Sequence, residues 1–172
     1  MRCKSFVNTK LFNENLRLHN TPIFSEFKFI PSYFSGYVDG EGCFCISISK
    51  SRRNKLGWEV RPSFSVSQNK ERSEVLYMLK GYFGCGSIRA DNSDSTVKYE
   101  VRSLRDLLEK VIPHFDKYKL LSSKIRSFVV FKEVCQRMGM KNHLSKNGLE
   151  EIILLSGKVN FPSKRKYQGI KI

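Results

Sequence analysis

Apolar and polar residues alternate along two neighbouring segments in the first half of the chain. In residues 43–50 every second side chain is apolar, namely Phe44, Ile46 and Ile48. Residues 58–67 repeat the pattern after the turn-rich connection SRRNKLG. Alternation with a period of two predicts half-buried β-strands. The two segments are therefore expected to form a β-hairpin with one apolar and one polar face.

A helix and a second hairpin are expected next. Residues 75–83 carry apolar side chains at helical spacing, with Asn69 as the expected N-cap and Gly84 as the expected C-terminal stop. Residues 87–90 and 96–102 then read as two further strands joined by DNSDS. In the second of these strands Val97, Tyr99 and Val101 alternate with polar residues, which predicts another two-faced hairpin.

The rest of the periodic sequence predicts helices. Ser103 is expected to cap a helix that stops at Pro113, because proline lacks the N–H that a helix interior needs. Residues 120–138 and 149–155 also have helical spacing. The predicted buried stripe of the first of these two helices is Ile125, Phe128, Val129, Phe131 and Val134.

This order of elements predicts an α+β fold. Four strands in two hairpins can form one antiparallel sheet, with helices covering its apolar face and extra helices at the C-terminal end. The uncovered face would be rich in serine and charged side chains, which can hydrogen-bond base edges and phosphates in a DNA groove. The candidate DNA-binding residues are Ser47, Ser49, Arg61, Ser63, Ser65, Ser67, Ser87, Arg89, Lys98, Glu100 and Arg102.

The charge of the chain favours a polyanionic partner. The 172 residues contain 31 Lys and Arg against 16 Asp and Glu, a formal net charge of +15. Such a charge attracts nucleic acid through counterion release, whatever its sequence. No apolar run is long enough for a transmembrane helix, and the basic residues do not line one face of an amphipathic helix, so no membrane partner is expected. The five cysteines and three histidines lack the spacing of a zinc site.

One short stretch, FSGYVDGEG at residues 34–42, is unusually rich in glycine for a helix. Glycine in a helix costs roughly 1 kcal/mol relative to alanine. A helix that begins at Pro31 would nevertheless place Gly36 and Gly40 on one face, where a second helix backbone could approach closely. The competing interpretation is a structural turn at DGEG.

The stretch and its surroundings resemble the LAGLIDADG homing endonucleases. The nine-residue signature of that family lies over residues 34–42, where Gly36, Asp39 and Gly42 match and Glu41 replaces the final aspartate with another carboxylate. LKGYFGCGSI and HFDKYKLLSSK downstream strengthen the resemblance, which covers roughly residues 31–155. It implies an αββαββα core whose sheet binds DNA.

The resemblance also implies the site residues. Glu41 and the backbone carbonyl of Gly40 would hold a divalent metal, Mg²⁺, for which Mn²⁺ or Ca²⁺ could substitute in binding. Gly36, Gly40 and Asp39 would lie at a helix–helix interface. The remaining implied active-site residues are Gln68, Arg72 and a lysine that is either Lys117 or Lys119.

A single copy of the motif predicts a homodimer, because two symmetric metal sites need two protomers. The expected activity is hydrolysis of both strands of a long, pseudo-palindromic double-stranded DNA target, leaving short 3′ overhangs. The chain would divide into an arm at residues 1–28, an endonuclease domain at 29–157 and a basic tail at 158–172. The resemblance further implies intron homing in an organelle, a mitochondrion or chloroplast.

Two other functions stay open at this stage. The chain could be an intron-splicing maturase or another non-cleaving member of the same fold, with intron RNA as a possible partner. It could also be a structural RNA-binding protein, for which the charge alone would suffice, but that function leaves the glycine–carboxylate stretch unexplained.

Overall fold

The computed structural model describes residues 30–91 and 95–159. The predicted arm and the tail beyond residue 159 lie outside the described residues. The regular elements, in chain order, are α1 (Ile30–Glu41), β1 (Gly42–Lys50), β2 (Trp58–Asn69), α2 (Glu74–Phe83), β3 (Ser87–Asp91), β4 (Thr96–Val101), α3 (the consecutive segments Leu104–Asp106, Leu107–Val111 and Ile112–Lys117), α4 (Lys124–Gly139) and α5 (Lys146–Ser156).

The four strands form one antiparallel sheet in the order β1-β2-β4-β3, which confirms the predicted α+β fold. Strand β2 lies inside the sheet, where Phe64 is opposite Phe44 of β1 and Val101 of β4. Because residues opposite each other in an antiparallel pair share a face, the apolar side chains of all four strands gather on one side. The polar side chains gather on the other.

The core lies between the apolar face of the sheet and the helices, and aromatic rings fill its centre. The ring of Phe44 lies 5.3 Å from Phe64, 5.5 Å from Phe115 of α3, and 5.4 and 5.3 Å from Phe128 and Phe131 of α4, between centroids. Rings at these separations add attraction to the area that they bury. Within the described ranges, no helix has the length and apolar character needed to cross a bilayer.

Helix α3 does not stop at Pro113, contrary to the sequence prediction; it continues to Lys117. The reason is a π-helical turn over Leu107–Val111, where the N–H of Ile112 bonds to the carbonyl of Leu107. This wider turn comes directly before the proline and makes room for its ring, which would clash with the carbonyl four residues earlier in a regular helix.

Three smaller expectations also need correction. Asn69 makes no side-chain cap bond; it precedes a short 3₁₀ turn at Lys70–Arg72, and α2 starts only at Glu74. Helix α4 begins at Lys124 rather than at residue 120. Asp39 accepts hydrogen bonds from the backbone N–H groups of Leu121 and Ser122, and this holds residues 121–123 outside the helix. Val129 is 56% exposed, so it does not belong to the buried stripe of α4.

A buried histidine joins three helices. His114 is 6% exposed, its Nε2 lies 3.1 Å from Ser35 Oγ, and its Nδ1 lies 3.0 Å from the Tyr82 hydroxyl. Ser35 donates its one hydroxyl hydrogen to the carbonyl of Tyr118, at 2.7 Å, so it must accept from Nε2–H of His114. We therefore assign the neutral Nε2–H tautomer, with Tyr82 donating to Nδ1. Burial lowers the pKa of His114 to about 4.

The free energy of unfolding is expected to fall as the pH is lowered from 6.5 to about 4. In this window the unfolded chain binds a proton at His114 and the folded chain does not, so the unfolded state gains stability, by up to about 3 kcal/mol. Urea unfolding at several pH values measures this slope. His114→Gln, although less stable overall, should flatten the slope; an unchanged slope would contradict the assignment. Burial also lowers the pKa of His143, but that contribution is common to both proteins.

Candidate active site and nucleic-acid interface

Helix α1 has one buried face and one open face. Phe34, Ser35 and Val38 are buried against the core, whereas Gly36 and Gly40 are exposed. A Cβ atom added at either glycine would meet no neighbouring atom of the described residues within 4 Å. The two glycines therefore form an open stripe that packing among the described residues does not require.

Gly42, in contrast, is required by the fold. It is buried at the junction of α1 and β1, where an added Cβ would lie 2.7 Å from the carbonyl oxygen of Val38. Such a distance is far below van der Waals contact, so only glycine lets the helix pass directly into the strand. As a result Glu41, the last residue of α1, lies exposed at the corner between the open stripe and the sheet.

The Lys124 side chain closes the C-terminal end of α1. Its ammonium Nζ donates to the carbonyl oxygens of Val38 at 3.0 Å, Gly40 at 3.1 Å and Gly42 at 2.6 Å. The last carbonyls of a helix lack internal partners and carry partial negative charge, so a cation there stabilises the helix end. Sequence reasoning missed this residue, although the absence of a basic residue in the last turn of α1 is a usable signal that the cation comes from elsewhere.

Burial and nearby side chains act in opposite directions on the pKa of Lys124. Its pKa is lowered chiefly by burial, and three nearby groups act in the opposite direction: Asp39, Cys43 and Glu41. Glu41 itself accepts no hydrogen bond and forms no ion pair within the described part of the chain. The corner thus combines one half-buried ammonium group with one open carboxylate.

Asp39 positions the segment that carries Lys124. Its carboxylate accepts hydrogen bonds from the backbone N–H groups of Leu121 at 2.9 Å and Ser122 at 2.8 Å, and from the Ser122 hydroxyl at 2.6 Å. Desolvation raises the pKa of Asp39, but these hydrogen bonds outweigh it and the pKa is lowered. The Asp39 carboxylate is thus bound within its own chain. The interface role predicted for Asp39 stays a prediction.

The other predicted site residues divide into two groups. Gln68 Nε2 donates to the Tyr37 hydroxyl at 2.9 Å, which places this side chain against α1 one turn before Glu41. Arg72 is exposed in the 3₁₀ turn just after β2. Lys117 lies over the Tyr118 ring, at 5.2 Å, and Lys119 is exposed. The active-site role of one of these two lysines stays a prediction, and Lys124 is a further lysine that the structure adds at the end of α1.

The described residues offer only some of the ligands that a metal site needs. Glu41 and the Gly40 carbonyl offer oxygen atoms, the donors that hard divalent cations prefer, so their chemistry fits such an ion. The Gly40 carbonyl, however, also accepts from Lys124. Within residues 30–91 and 95–159 there is no group of three or more His, Cys, Asp or Glu that could hold a metal ion. A complete site at Glu41 would therefore need a further carboxylate from outside the described residues.

The polar face of the sheet is mostly open, with two exceptions at its centre. Of the predicted DNA-binding side chains, Ser65 is 4% exposed and Glu100 is 5% exposed, so neither is available for direct contact with DNA. They lie opposite each other on β2 and β4, where neighbouring strands and side chains cover them. The remaining predicted residues are exposed or half-buried: Ser47, Ser49, Arg61, Ser63, Ser67, Ser87, Arg89, Lys98 and Arg102.

Comparison with known proteins gives consistent matches to one family. A family model described as LAGLIDADG endonuclease matches residues 34–135. The probable intron-encoded endonuclease 2 of Neurospora crassa is 36% identical over 124 residues, which are 72% of this chain and 27% of that protein. Two further relatives are covered to 24% and 26%. The chain thus spans about a quarter of the length of these curated relatives.

Solved structures agree in fold. The homing endonuclease I-TnaI is 33% identical with a TM-score of 0.75, over 80% of this chain and 92% of that one. I-SmaMI, solved bound to uncleaved DNA target in the presence of calcium ions, is 35% identical with a TM-score of 0.77. That match covers 82% of this chain but only 48% of I-SmaMI.

Proposed function

Because the chain belongs to the LAGLIDADG endonuclease family, we propose that it is a site-specific homing endonuclease. It hydrolyses both strands of a long, pseudo-palindromic DNA target and leaves short 3′ overhangs. The observation that carries this proposal is the position of Glu41, an open carboxylate at the corner between the glycine stripe and the first strand of a basic sheet. A scissile phosphate can reach that corner while the sheet lies along the DNA.

The active protein is a homodimer. One chain supplies one Glu41, and the open glycine stripe ends at that residue, so packing two copies of α1 along the stripe brings two carboxylates together. The extent of the matches to two solved structures supports this assembly. The chain matches almost all of I-TnaI but about half of I-SmaMI, as expected if it corresponds to one of two similar units. A two-fold symmetric protein in turn calls for a target with approximate two-fold symmetry.

Glu41 and the Gly40 carbonyl of each protomer would hold the divalent ion, Mg²⁺. When bound, it would activate water for attack and neutralise charge on the scissile phosphate. Lys124 adds a positive charge at the same corner, where it can stabilise negative charge that develops on the phosphate. Gln68 orients solvent next to Tyr37, and Arg72 contacts the DNA backbone.

The polar face of the sheet binds the DNA. Exposed arginine, lysine and serine side chains on a twisted sheet can reach both phosphates and base edges in a major groove. The net charge of +15 provides an attraction that does not depend on sequence. Relatives named as intron-encoded endonucleases support intron homing, and we place the protein in an organelle.

The test is cleavage of a DNA duplex that joins the two sequences flanking the open reading frame, with any intervening intron removed. Purified protein with Mg²⁺ should convert the duplex to two products, and EDTA should prevent this. Sequencing of the product ends checks the 3′ overhangs. Intact DNA at every protein concentration, together with tight and specific binding of intron RNA, would replace this proposal with the maturase alternative.

A further inference from the structure

A buried carboxylate lies at the centre of the face that we assign to DNA. Glu100 is on β4, between Ser65 of β2 and Ser87 of β3 in the same row across the sheet. Only 4% of its side chain is exposed, although the face itself is open. Burying a charge is costly unless it is paired, so its partners indicate what this residue is for.

Three cations surround Glu100. Arg89 of β3 donates from Nη2 to Oε2, Arg102 Nε forms an ion pair with the same oxygen at 2.9 Å, and Lys98 Nζ lies 3.8 Å from Oε1. The side chains of these cations are 56%, 64% and 43% exposed. The cluster is thus an anion covered by the stems and inner nitrogens of cations whose outer atoms face solvent.

We propose that Glu100 is a positioning residue for sequence recognition, which fixes Arg89 and Arg102 so that their outer N–H groups read guanine edges in the major groove. This inference rests on the proposed function. A free arginine must lose side-chain rotamer entropy when it binds. An arginine already held by a carboxylate has lost part of that freedom before DNA arrives.

The geometry favours guanine as the base that is read. Arg102 forms its ion pair with Glu100 through Nε, so its two terminal nitrogens stay available as a planar pair of donors. Guanine presents two acceptors, O6 and N7, in the major groove, and bidentate arginine is their usual partner. Arg89 donates to Glu100 through one terminal nitrogen, Nη2, so its other guanidinium nitrogens stay available to donate to a base.

The charge of Glu100 makes a second, opposite contribution. Glu100 reduces the charge of the cluster from three to two, and this weakens attraction to any DNA. Removal of the carboxylate should therefore tighten binding to unrelated DNA while it loosens recognition of guanine. A residue that served only to stabilise the fold would change both in the same direction.

The experiment first defines the target, by selecting bound sequences from a randomised DNA library with wild-type protein in Ca²⁺. Glu100→Gln is then compared with wild type on the selected site, on single-base variants of it and on an unrelated duplex. We expect the variant to bind the unrelated duplex about 3-fold more tightly at low salt. Discrimination at one or two guanine positions should fall about 10-fold or more.

Glu59→Gln is the matched control. Glu59 is a 35%-exposed carboxylate on the same face, paired with Arg61, so the variant changes the charge equally. It should tighten non-specific binding while leaving the guanine positions that Glu100 controls unchanged. If Glu100→Gln does not fold, Arg102→Lys, which keeps the charge but removes the fork, should lose discrimination at the same guanine.

Three results would overturn the inference. An unchanged base preference in Glu100→Gln, or an equal loss of specific and non-specific binding, would leave the endonuclease proposal intact but refute the role of Glu100. Retained discrimination in Arg102→Lys would do the same. A wild-type protein that selects no DNA site would overturn both proposals.

Discussion

Glu41→Gln is expected to abolish DNA cleavage while binding is retained. The variant keeps the size of the side chain and removes the one open carboxylate at the end of α1, so it removes a negatively charged ligand that a divalent cation needs. We expect the cleavage rate to fall roughly 10³-fold or more. The residue accepts no hydrogen bond within the described part of the chain, so the melting temperature should not change.

The measurement is single-turnover cleavage in Mg²⁺, with binding of the same duplex measured in Ca²⁺. Glu59→Gln serves as a control, because it removes a carboxylate that lies outside the candidate site and should still cleave. Cleavage by Glu41→Gln at the wild-type rate would show that Glu41 is not a metal ligand. Loss of binding together with cleavage would instead place Glu41 in the DNA contact surface.

Gly36→Leu is expected to convert the dimer to a monomer that no longer makes double-strand breaks. A Cβ atom at this position meets no neighbouring atom of the described residues within 4 Å, so we expect the fold to tolerate the substitution, and leucine favours a helix over glycine by about 0.8 kcal/mol. In a tight contact between two helices, however, the same side chain separates the backbones. We expect the dimer dissociation constant to rise about 100-fold, or about 2.7 kcal/mol.

Sedimentation velocity checks this directly, since wild type at micromolar concentration should sediment at about twice the 20.0 kDa chain mass. Lys80→Leu adds a similar apolar side chain to an exposed position on another helix and should stay dimeric. A monomeric wild type that cuts both strands, or a Gly36→Leu protein that remains a fully active dimer, would refute the proposed interface. If Gly36→Leu melts at a lower temperature than wild type when both are monomeric, at protein concentrations below the dimer dissociation constant, the stripe is packed within one chain.

The elements of this fold could be predicted because its local patterns agree with its packing. Phe44 and Phe64 lie in segments that alternate strictly, and the structure places both in one aromatic cluster. Gly84 ends α2 in the left-handed conformation, φ 58°, that its position in the sequence predicts. The helical interpretation of the glycine-rich stretch was also confirmed, since α1 runs through it.

The site was less accessible to sequence reasoning because long-range contacts build it. Lys124 looked like one of many lysines; its role depends on a helix end more than 80 residues earlier. The burial of Glu100 follows from cations on two strands and beyond, which alternation alone cannot distinguish from a solvated face. The sequence predicts that the helix ends at Pro113, because the π-helical turn that lets it continue leaves no clear mark in the sequence.

The hydrogen bonds between Asp39 and Ser122 have a consequence for when the end of α1 is completed during synthesis. The two residues are 83 positions apart, and Lys124 reaches Gly40 from 84 positions away. A nascent chain that has not yet released residue 124 from the ribosome therefore has the glycine stripe and both hairpins but an unfinished helix end. The corner proposed for cleavage is therefore completed late in translation, at the same stage as the core, because Phe128 and Phe131 of α4 reach the Phe44 ring from the same late part of the chain.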